Sequence, residues 1–349
     1  MRVMFELVKT IRLVGLRKTL AMARAYKLGW MQILTGFYTT RTLQALFNVG
    51  FFDELEKRGR LDLAVFAEER RLDLPILKSL ADSLYALKIL DRRGREYFLA
   101  AKGRLLTEFA RGWFIGTYGY EGVFHNLEAL LRREKEYGKE VKRLPEPIAR
   151  GSAEMEAMIY FPLAIDIIAK NKYKRVLDLG CGEGTFLRAL CERLPDVQGL
   201  GMDLSPESIG AARERAERAR LKERLSFVVD DVAAGNGSTP GPGKIDVATI
   251  FFVLHEILYR GEDVAIEFLK GFQRRFPGVP LIVFEVLRPS VEQMRRKPGM
   301  AIHYALQHDL SHQTLVSGDK WKQLFKDAGF QNVEERELKF VRTGIYTLS

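Results

Sequence analysis

Three glycines at alternate positions follow an apolar stretch that carries a single acid. The acid is Asp178, and the glycines are Gly180, Gly182 and Gly184. Because glycine lacks a Cβ atom, such a turn can pass close to a ligand and present its N–H groups at the positive end of the helix that follows. This order of strand, turn and helix predicts a site for a nucleotide-like cofactor.

Two further apolar stretches end in acids that suit the same ligand. Residues 197–202 lead into Asp203, and residues 225–229 lead into Asp230 and Asp231. A carboxylate at the carboxyl end of a strand can accept hydrogen bonds from both ribose hydroxyls. We therefore expect Asp203 on the ribose side of the cofactor.

The spacing Asp-x-Gly-x-Gly-x-Gly resembles motif I of the class I S-adenosylmethionine-dependent methyltransferases. A dinucleotide site would instead need a third glycine where this chain has Thr185. The resemblance implies that S-adenosyl-L-methionine is the cofactor and that an acid after the third strand meets the adenine amino group. We favour Asp231 for this role, with Val232 against the ring. The cofactor-binding residues expected so far are Asp178, Gly180, Gly182, Asp203, Leu204, Asp231 and Val232.

The fourth predicted strand spans residues 245–252, and the residues at its carboxyl end lie where a ligand is expected. In open α/β sheets, ligands bind outside the carboxyl ends of the strands. We expect Phe251 and Phe252 to border the cofactor, and His255 and Glu256 to face the reacting methyl group as catalytic residues.

Three of the five histidines lie close together, between residues 301 and 312. His308 and His312 stand four residues apart, which is the spacing of a metal pair on one helix face. His308 can equally converge with His255. For His303 and His312 we favour packing or surface positions.

A narrower resemblance joins these two histidine-bearing segments. The His-Glu after strand four and the later His-Asp, followed by Ser-Gly-Asp-Lys-Trp over 317–321, resemble the iron-containing phenylpyruvate C-methyltransferases. That resemblance implies a divalent or ferric metal ion bound by His255 and His308, and a 2-oxo acid as substrate. The expected reaction is C-methylation beside the carbonyl through a metal-stabilised enolate, with Glu256 or Asp309 orienting a water or a ligand.

Three other functions stay open. His255 alone can act as general base in an O-methyltransferase of a phenolic or other hydroxyl, which needs no metal. A C-methyltransferase of a prenyl diphosphate would use the many arginines, with Glu154 or Glu156 as base. The alternative outside the enzymes is a winged-helix regulator whose cofactor fold senses a ligand.

Alternating strands and helices position these residues. The pattern over residues 171–349 predicts an α/β fold with a Rossmann-like doubly wound sheet. After the turn at Gly329, an antiparallel hairpin is expected to complete this sheet. Residues 112–170 predict a helical connector or lid, with a break between Pro145 and Gly151.

A mainly helical domain precedes this sheet. Over residues 35–111 a helix ends at Gly50, a short helix is capped by Asp62, another opens at Pro75, and a hairpin spans 91–103. This pattern is typical of a winged helix, which in the small-molecule O-methyltransferase-like group serves dimerisation. We therefore expect a homodimer.

Residues 1–34 predict a basic amphipathic helical extension. The whole chain carries 55 basic and 45 acidic side chains, and six of these ten excess charges lie within residues 1–30. Such a local excess argues against a nucleic-acid partner. We favour docking of the extension on its own domain or on a dimer partner, with contact to a membrane surface as the alternative.

Composition bounds the remaining questions. A chain of 349 residues with 47% hydrophobic content can bury a sizeable core, and we expect it to divide into two domains. Cys181 and Cys191 are too few for a disulfide framework, so we expect both to be reduced. No apolar segment reaches the length of a membrane span, and we expect a cytoplasmic protein.

Overall fold

A computed structural model describes residues 9–231 and 244–349 of the chain. The chain divides into two compact units, residues 1–118 and residues 119–349. No helix within the described ranges is long and apolar enough to cross a bilayer. Cys181 and Cys191 are both buried and are not joined in a disulfide.

The first unit is mainly helical and contains one small antiparallel sheet, in the order β1-β3-β2. Its elements are α1 (Leu16–Lys27), α2 (Trp30–Asn48), α3 (Phe51–Arg58), β1 (Leu61–Asp62), α4 (Leu63–Arg70), α5 (Leu74–Ala86), β2 (Leu90–Arg93), β3 (Glu96–Leu99), α6 (Ala101–Phe109) and α7 (Arg111–Tyr118).

Local sequence signals account for most of these boundaries. The Asp62 carboxylate accepts a hydrogen bond from the N–H of Ala64 at 2.8 Å and so caps α4, as predicted. The predicted hairpin over 91–103 is too long, because Gly103 lies inside α6. A Cβ atom on Gly103 would lie 2.1 Å from the carbonyl oxygen of Ile89, so this glycine allows α6 to pack closely and does not form a turn.

The second unit is a sheet of seven strands with helices around it. Its elements are α8 (Glu121–His125), α9 (Leu127–Leu131), α10 (Pro145–Lys170), β4 (Arg175–Leu179), α11 (Thr185–Arg193), β5 (Gln198–Asp203), α12 (Pro206–Arg218), β6 (Leu225–Val229), β7 (Val247–Phe251), α13 (Leu254–Leu258), α14 (Glu262–Arg275), β8 (Leu281–Val286), α15 (Val291–Arg296), α16 (Met300–Asp309), α17 (Gly318–Asp327), β9 (Val333–Leu338) and β10 (Thr343–Leu348).

The strand order is β6-β5-β4-β7-β8-β10-β9. The first five strands are parallel, and β10 is antiparallel to both β8 and β9. This topology confirms the predicted doubly wound sheet with its antiparallel closing hairpin. The carboxyl ends of β4, β5, β6, β7 and β8 therefore meet at one edge, where the site is built.

The predicted break between Pro145 and Gly151 is wrong. Helix α10 begins at Pro145 and continues without interruption for 26 residues, with Pro162 in its interior. Pro145 and Pro147 lie in the first turn, where a backbone N–H has no helical partner to lose. Proline in this region therefore marks the start of a helix.

Candidate active site

The glycine turn leaves open space at its middle residue. Gly180, Gly182 and Gly184 have φ values of 72°, 51° and 71°, a region that side chains disfavour. A Cβ atom on Gly180 would lie 2.7 Å from Val253, and one on Gly184 would lie 2.7 Å from Phe227. At Gly182 the same atom would meet nothing within 4 Å. The backbone at Gly182 is thus free to line a bound molecule.

Asp203 ends β5 and is tied to the glycine turn. Its carboxylate accepts hydrogen bonds from the N–H of Gly182 at 2.8 Å and from the N–H of Ser205 at 2.9 Å. A carboxylate has further lone pairs with which to accept hydroxyl donors. The next residue, Leu204, leaves 62% of its surface exposed at the same edge. These positions fit the ribose side of a nucleoside.

Asp178 lies near the end of β4 and is 2% exposed. The hydroxyl of Thr249, from the neighbouring strand β7, donates to its carboxylate at 2.8 Å. Burial raises the pKa of Asp178 to about 7; the Thr249 hydrogen bond opposes this rise, and the charge of Asp203 adds to it.

Two acids follow β6, Asp230 and Asp231. Asp230 forms an ion pair with the buried guanidinium of Arg275 at 2.5 Å, and this contact lowers the pKa of Asp230. Asp231 is exposed at the same end of the strand. Val232 lies outside the described residues, so the expected contact of Asp231 and Val232 with adenine stays a prediction.

Phe251, the last residue of β7, and Phe252, which follows it, differ in their surroundings. Phe251 is 9% exposed, and its ring centroid lies 4.7 Å from those of Phe186 and Phe284. Phe252 has a φ of 54° and its ring centroid lies 4.8 Å from that of Tyr160. A positive φ is unusual for a bulky residue, and such positions cluster at functional sites.

His255 lies in the first turn of α13 and is 4% exposed. Its Nδ1 atom is 2.8 Å from one carboxylate oxygen of Glu285, whose other oxygen accepts the N–H of Leu254 at 2.7 Å. Burial lowers the pKa of His255, but the charge and hydrogen bond of Glu285 outweigh burial, so the pKa is raised. Sequence reasoning missed Glu285, although an acid inside the six-residue apolar strand β8 is a signal that it is paired.

His308 meets His255 from the facing helix α16. The two ring centroids are 5.1 Å apart. The Nδ1 atom of His308 lies 2.7 Å from the carbonyl oxygen of Tyr304 and donates to it, which leaves Nε2 with its lone pair. Burial, together with the charge of His255, lowers the pKa of His308 to about 3, so its ring is neutral.

The alternative helical pair of His308 and His312 is not formed. Helix α16 ends at Asp309, and His312 is exposed with a φ of 52°. Its ring stacks on Tyr259 with centroids 5.3 Å apart. Because the helix ends before His312, this residue does not share a helix face with His308. His308 instead lies beside His255, the other arrangement that the sequence left open.

Glu256 and Asp309 are both held by arginine side chains. Glu256, half exposed, lies 2.7 Å from Arg143 and accepts a hydrogen bond from the Nε2 of Gln313 at 2.7 Å. The same amide nitrogen of Gln313 is 3.4 Å from Nε2 of His255. Asp309 forms a bidentate ion pair with Arg288 at 2.5 and 2.8 Å. Gln313 carries no sequence signal that would have revealed its place beside His255.

The histidine pair fits a metal ion with an incomplete protein ligand set. In each ring Nδ1 is bonded to an oxygen, of Glu285 for His255 and of the Tyr304 carbonyl for His308, as in metal-binding histidines. Nε2 of His255 also lies 3.4 Å from the amide nitrogen of Gln313, a contact that a bound metal would replace. Within residues 9–231 and 244–349, no group of three or more His, Cys, Asp or Glu side chains could hold a metal. A metal bound by His255 and His308 would therefore take its other ligands from water or substrate.

Residues 129–335 match a family model described as a methyltransferase domain. This match covers more than half of the chain, and the chain belongs to that family. Together with the nucleoside-type cradle, it identifies the protein as an S-adenosylmethionine-dependent methyltransferase.

Individual relatives match between about half and nearly all of the chain. The 2-ketoarginine methyltransferase of Streptomyces arginensis is 27% identical over 88% of this chain and 89% of its own length. The indolepyruvate C-methyltransferase of Streptomyces griseus is 30% identical over 47% of this chain and 48% of its own. Human N-acetylserotonin methyltransferase, solved with S-adenosylmethionine, shares the fold with a TM-score of 0.68 at 19% identity, over 93% of this chain and 97% of that one.

Proposed function

We propose that this enzyme transfers the methyl group of S-adenosylmethionine to the carbon beside the carbonyl of a small 2-oxo acid. The observation that carries the proposal is the convergence of His255 and His308, with ring centroids 5.1 Å apart, at the carboxyl edge of the sheet. Two relatives support it, because 2-ketoarginine and indolepyruvate are both 2-oxo acids.

The two histidines would hold a divalent or ferric metal through their Nε2 atoms. A metal bound there would polarise the carbonyl of a 2-oxo acid and so make the neighbouring C–H more acidic. The proton lost from that carbon would pass to a water, which Glu256 is placed to orient beside His255 through Gln313. Glu285 keeps the ring of His255 in one orientation, and the carbonyl of Tyr304 does the same for His308. The low pKa of His308 favours the neutral ring that metal binding requires.

Positioning completes the reaction. Transfer from a sulfonium is an in-line displacement that needs the nucleophilic carbon about 3 to 3.5 Å from the methyl group. Gly182 and Asp203 hold the nucleoside on one side, while the histidines orient the acceptor on the other. Arg143, largely buried beside Glu256 and acting electrostatically on both histidines, is suited to the acceptor's carboxylate.

The proposal is tested by supplying methyl-labelled S-adenosylmethionine with a panel of 2-oxo acids, phenols and prenyl diphosphates. We expect label in 2-oxo acids, with NMR placing the new methyl group on the carbon beside the carbonyl. His308→Ala should lower the rate at which this product forms by about 10³-fold. Transfer to a phenol that survives both a chelator and His308→Ala would contradict the proposal.

One observation favours O-methylation as the second candidate. The contact of 2.8 Å between His255 and Glu285, with the raised pKa of His255, is also the geometry of a general base oriented by a carboxylate. In that case Nε2 of His255 accepts a hydroxyl proton directly. His308 would then be dispensable for catalysis, which is the point on which the two functions differ.

We further propose that the enzyme is a homodimer formed through the first half of α2. Six large apolar side chains lie on one face of that half and are 38% to 75% exposed, while Arg41 is the only charged residue of α2. Two identical faces with so little charge can meet without repulsion, whereas a lipid surface would favour a basic face. These six side chains are Trp30, Met31, Ile33, Leu34, Phe37 and Tyr38.

Light scattering coupled to size-exclusion chromatography tests the dimer. The wild-type chain should have twice the mass of one copy, and Ile33→Glu, which places a charge on the apolar face, should have the mass of a monomer. A monomeric wild type that sediments with vesicles of anionic lipid would instead support the membrane-surface alternative.

A further inference from the structure

Helix α10 brings one more acid to the cofactor side of the sheet. Glu156 lies one helical turn before Tyr160, so the two side chains share a face. The ring of Tyr160 contacts Phe252 at the end of β7, at 4.8 Å between centroids. The next residue, Phe161, contacts Phe186 in the first turn after the glycines, at 5.2 Å. These contacts set this part of α10 over the glycine turn.

The Glu156 carboxylate has no counter-charge within the part of the chain that the structure describes. It takes part in no hydrogen bond or ion pair there, and its side chain is partly accessible to solvent. The surrounding protein atoms raise its pKa to about 8, and the charge of Asp178 adds to this rise. The charge of Glu156 in turn raises the pKa of Tyr160 and Tyr304.

Asp178 is in the same situation. In the described part of the chain, the donor to its carboxylate is the neutral hydroxyl of Thr249, and the charge that acts on it is that of another acid, Asp203. Within the described residues, the charge of Asp178 acts on Glu156 and neither carboxylate is paired with a cationic side chain, an arrangement that costs free energy unless a ligand supplies the positive charge.

A cationic group that binds these acids would belong to S-adenosylmethionine, the methyl donor, and not to the methyl acceptor. The charged groups that act on His255 are Glu285, Glu256 and Arg143, and Glu156 is not among them. The charge that acts on Glu156 is that of Asp178, which lies two residues before the first glycine of the turn. Of the two cationic groups of S-adenosylmethionine, the ammonium has three N–H donors, whereas the sulfonium has none.

We propose that Glu156, together with Asp178, binds the α-ammonium group of S-adenosylmethionine. Glu156 is thus a recognition residue for the amino-acid end of the donor, contributed by α10 in addition to the strand-end acids. This proposal rests on the donor and not on the choice of acceptor.

A pH dependence follows from the groups that face this pair. They are Asp203 from β5, Tyr160 from α10 and Tyr304 from α16, and none of them is cationic. In the free protein the raised pKa values keep a proton on the pair near neutral pH. Binding of an ammonium group lowers these pKa values and releases the proton, so donor affinity rises with pH between about 6 and 8.

Isothermal titration calorimetry of the full chain tests the proposal with two ligands. S-adenosylhomocysteine carries the ammonium group, and 5′-methylthioadenosine has the same nucleoside thioether without it. We expect Glu156→Gln to weaken S-adenosylhomocysteine binding by about 10- to 100-fold, the range of a charge-assisted hydrogen bond. Binding of 5′-methylthioadenosine should change less than about twofold. Proton release, measured in buffers of different ionisation enthalpy, should fall in the variant.

Glu154→Gln is the matched control, since Glu154 lies two residues away on α10 and has another interaction of its own. It should leave both affinities unchanged. Equal weakening of both ligands by Glu156→Gln, or no weakening of either, would overturn the proposal. A thermal melt separates misfolding from lost recognition. If the chain binds S-adenosylhomocysteine as expected but methylates no 2-oxo acid, the proposed function fails and this inference stands.

Discussion

The active site has a donor side, which binds S-adenosylmethionine, and an acceptor side, which binds the substrate, and different kinds of groups form the two sides. The donor side consists of backbone N–H groups and acids at the ends of adjacent parallel strands, such as Gly182 and Asp203, whose contact is 2.8 Å. The acceptor side consists of side chains from α13, β8 and α16, with His255 held by Glu285 and facing His308. One side is thus fixed by strand topology, and the other by buried partners distant in sequence. A mutation on one side should therefore impair the function of that side and leave the function of the other unchanged.

The largest effect is expected on the acceptor side. His308→Ala removes one of the two converging imidazoles, and we expect the rate of 2-oxo acid methylation to fall by about 10³-fold, the upper end of what loss of one group that stabilises developing charge costs. Affinity for S-adenosylhomocysteine should stay within about twofold, because no donor contact is lost. Single-turnover kinetics and calorimetry on the same preparation measure both quantities. A parallel fall in donor affinity would show that the two sides are coupled.

A smaller effect is expected from the donor side. Asp203→Ala removes the expected acceptor of the ribose hydroxyls and releases the N–H groups of Gly182 and Ser205. We expect S-adenosylhomocysteine binding to weaken by about 10- to 100-fold, as for the loss of hydrogen bonds to a charged group. Metal content, measured by elemental analysis after reconstitution, should not change. Loss of metal in this variant would contradict the separation of the two sides.

The smallest effect is expected at Asp309, which the sequence offered as an alternative to Glu256. Its carboxylate is half exposed and bound in a bidentate ion pair by Arg288. An exposed pair of this kind contributes about 0 to 1 kcal/mol to the free energy of unfolding. Asp309→Asn should therefore shift a denaturation midpoint slightly and leave methyl transfer within about twofold. A loss of activity as large as that of His308→Ala would return Asp309 to the catalytic site.

The same contrast explains what could be predicted from sequence. The donor side is local in sequence, since each acid lies at or near the carboxyl end of its own apolar strand, and the predicted sheet places these ends together. The histidine pair was one of two open alternatives, because spacing alone could not show that α16 ends before His312. Glu285 and Gln313 were missed, since their roles depend on which buried group faces them. Two predictions based on proline and glycine were wrong. Pro145 begins a helix and does not break one, and Gly103 allows close helix packing and does not end a hairpin.

Donor binding and methyl transfer measured on one chelator-treated sample test the central claim most directly. After removal of metal, S-adenosylhomocysteine should bind as tightly as before, while methylation of 2-oxo acids should be lost and should return when the metal is restored. Undiminished methylation by the metal-free enzyme, with the methyl group on an oxygen, would contradict the account. It would assign His255 and Glu285 to base catalysis instead.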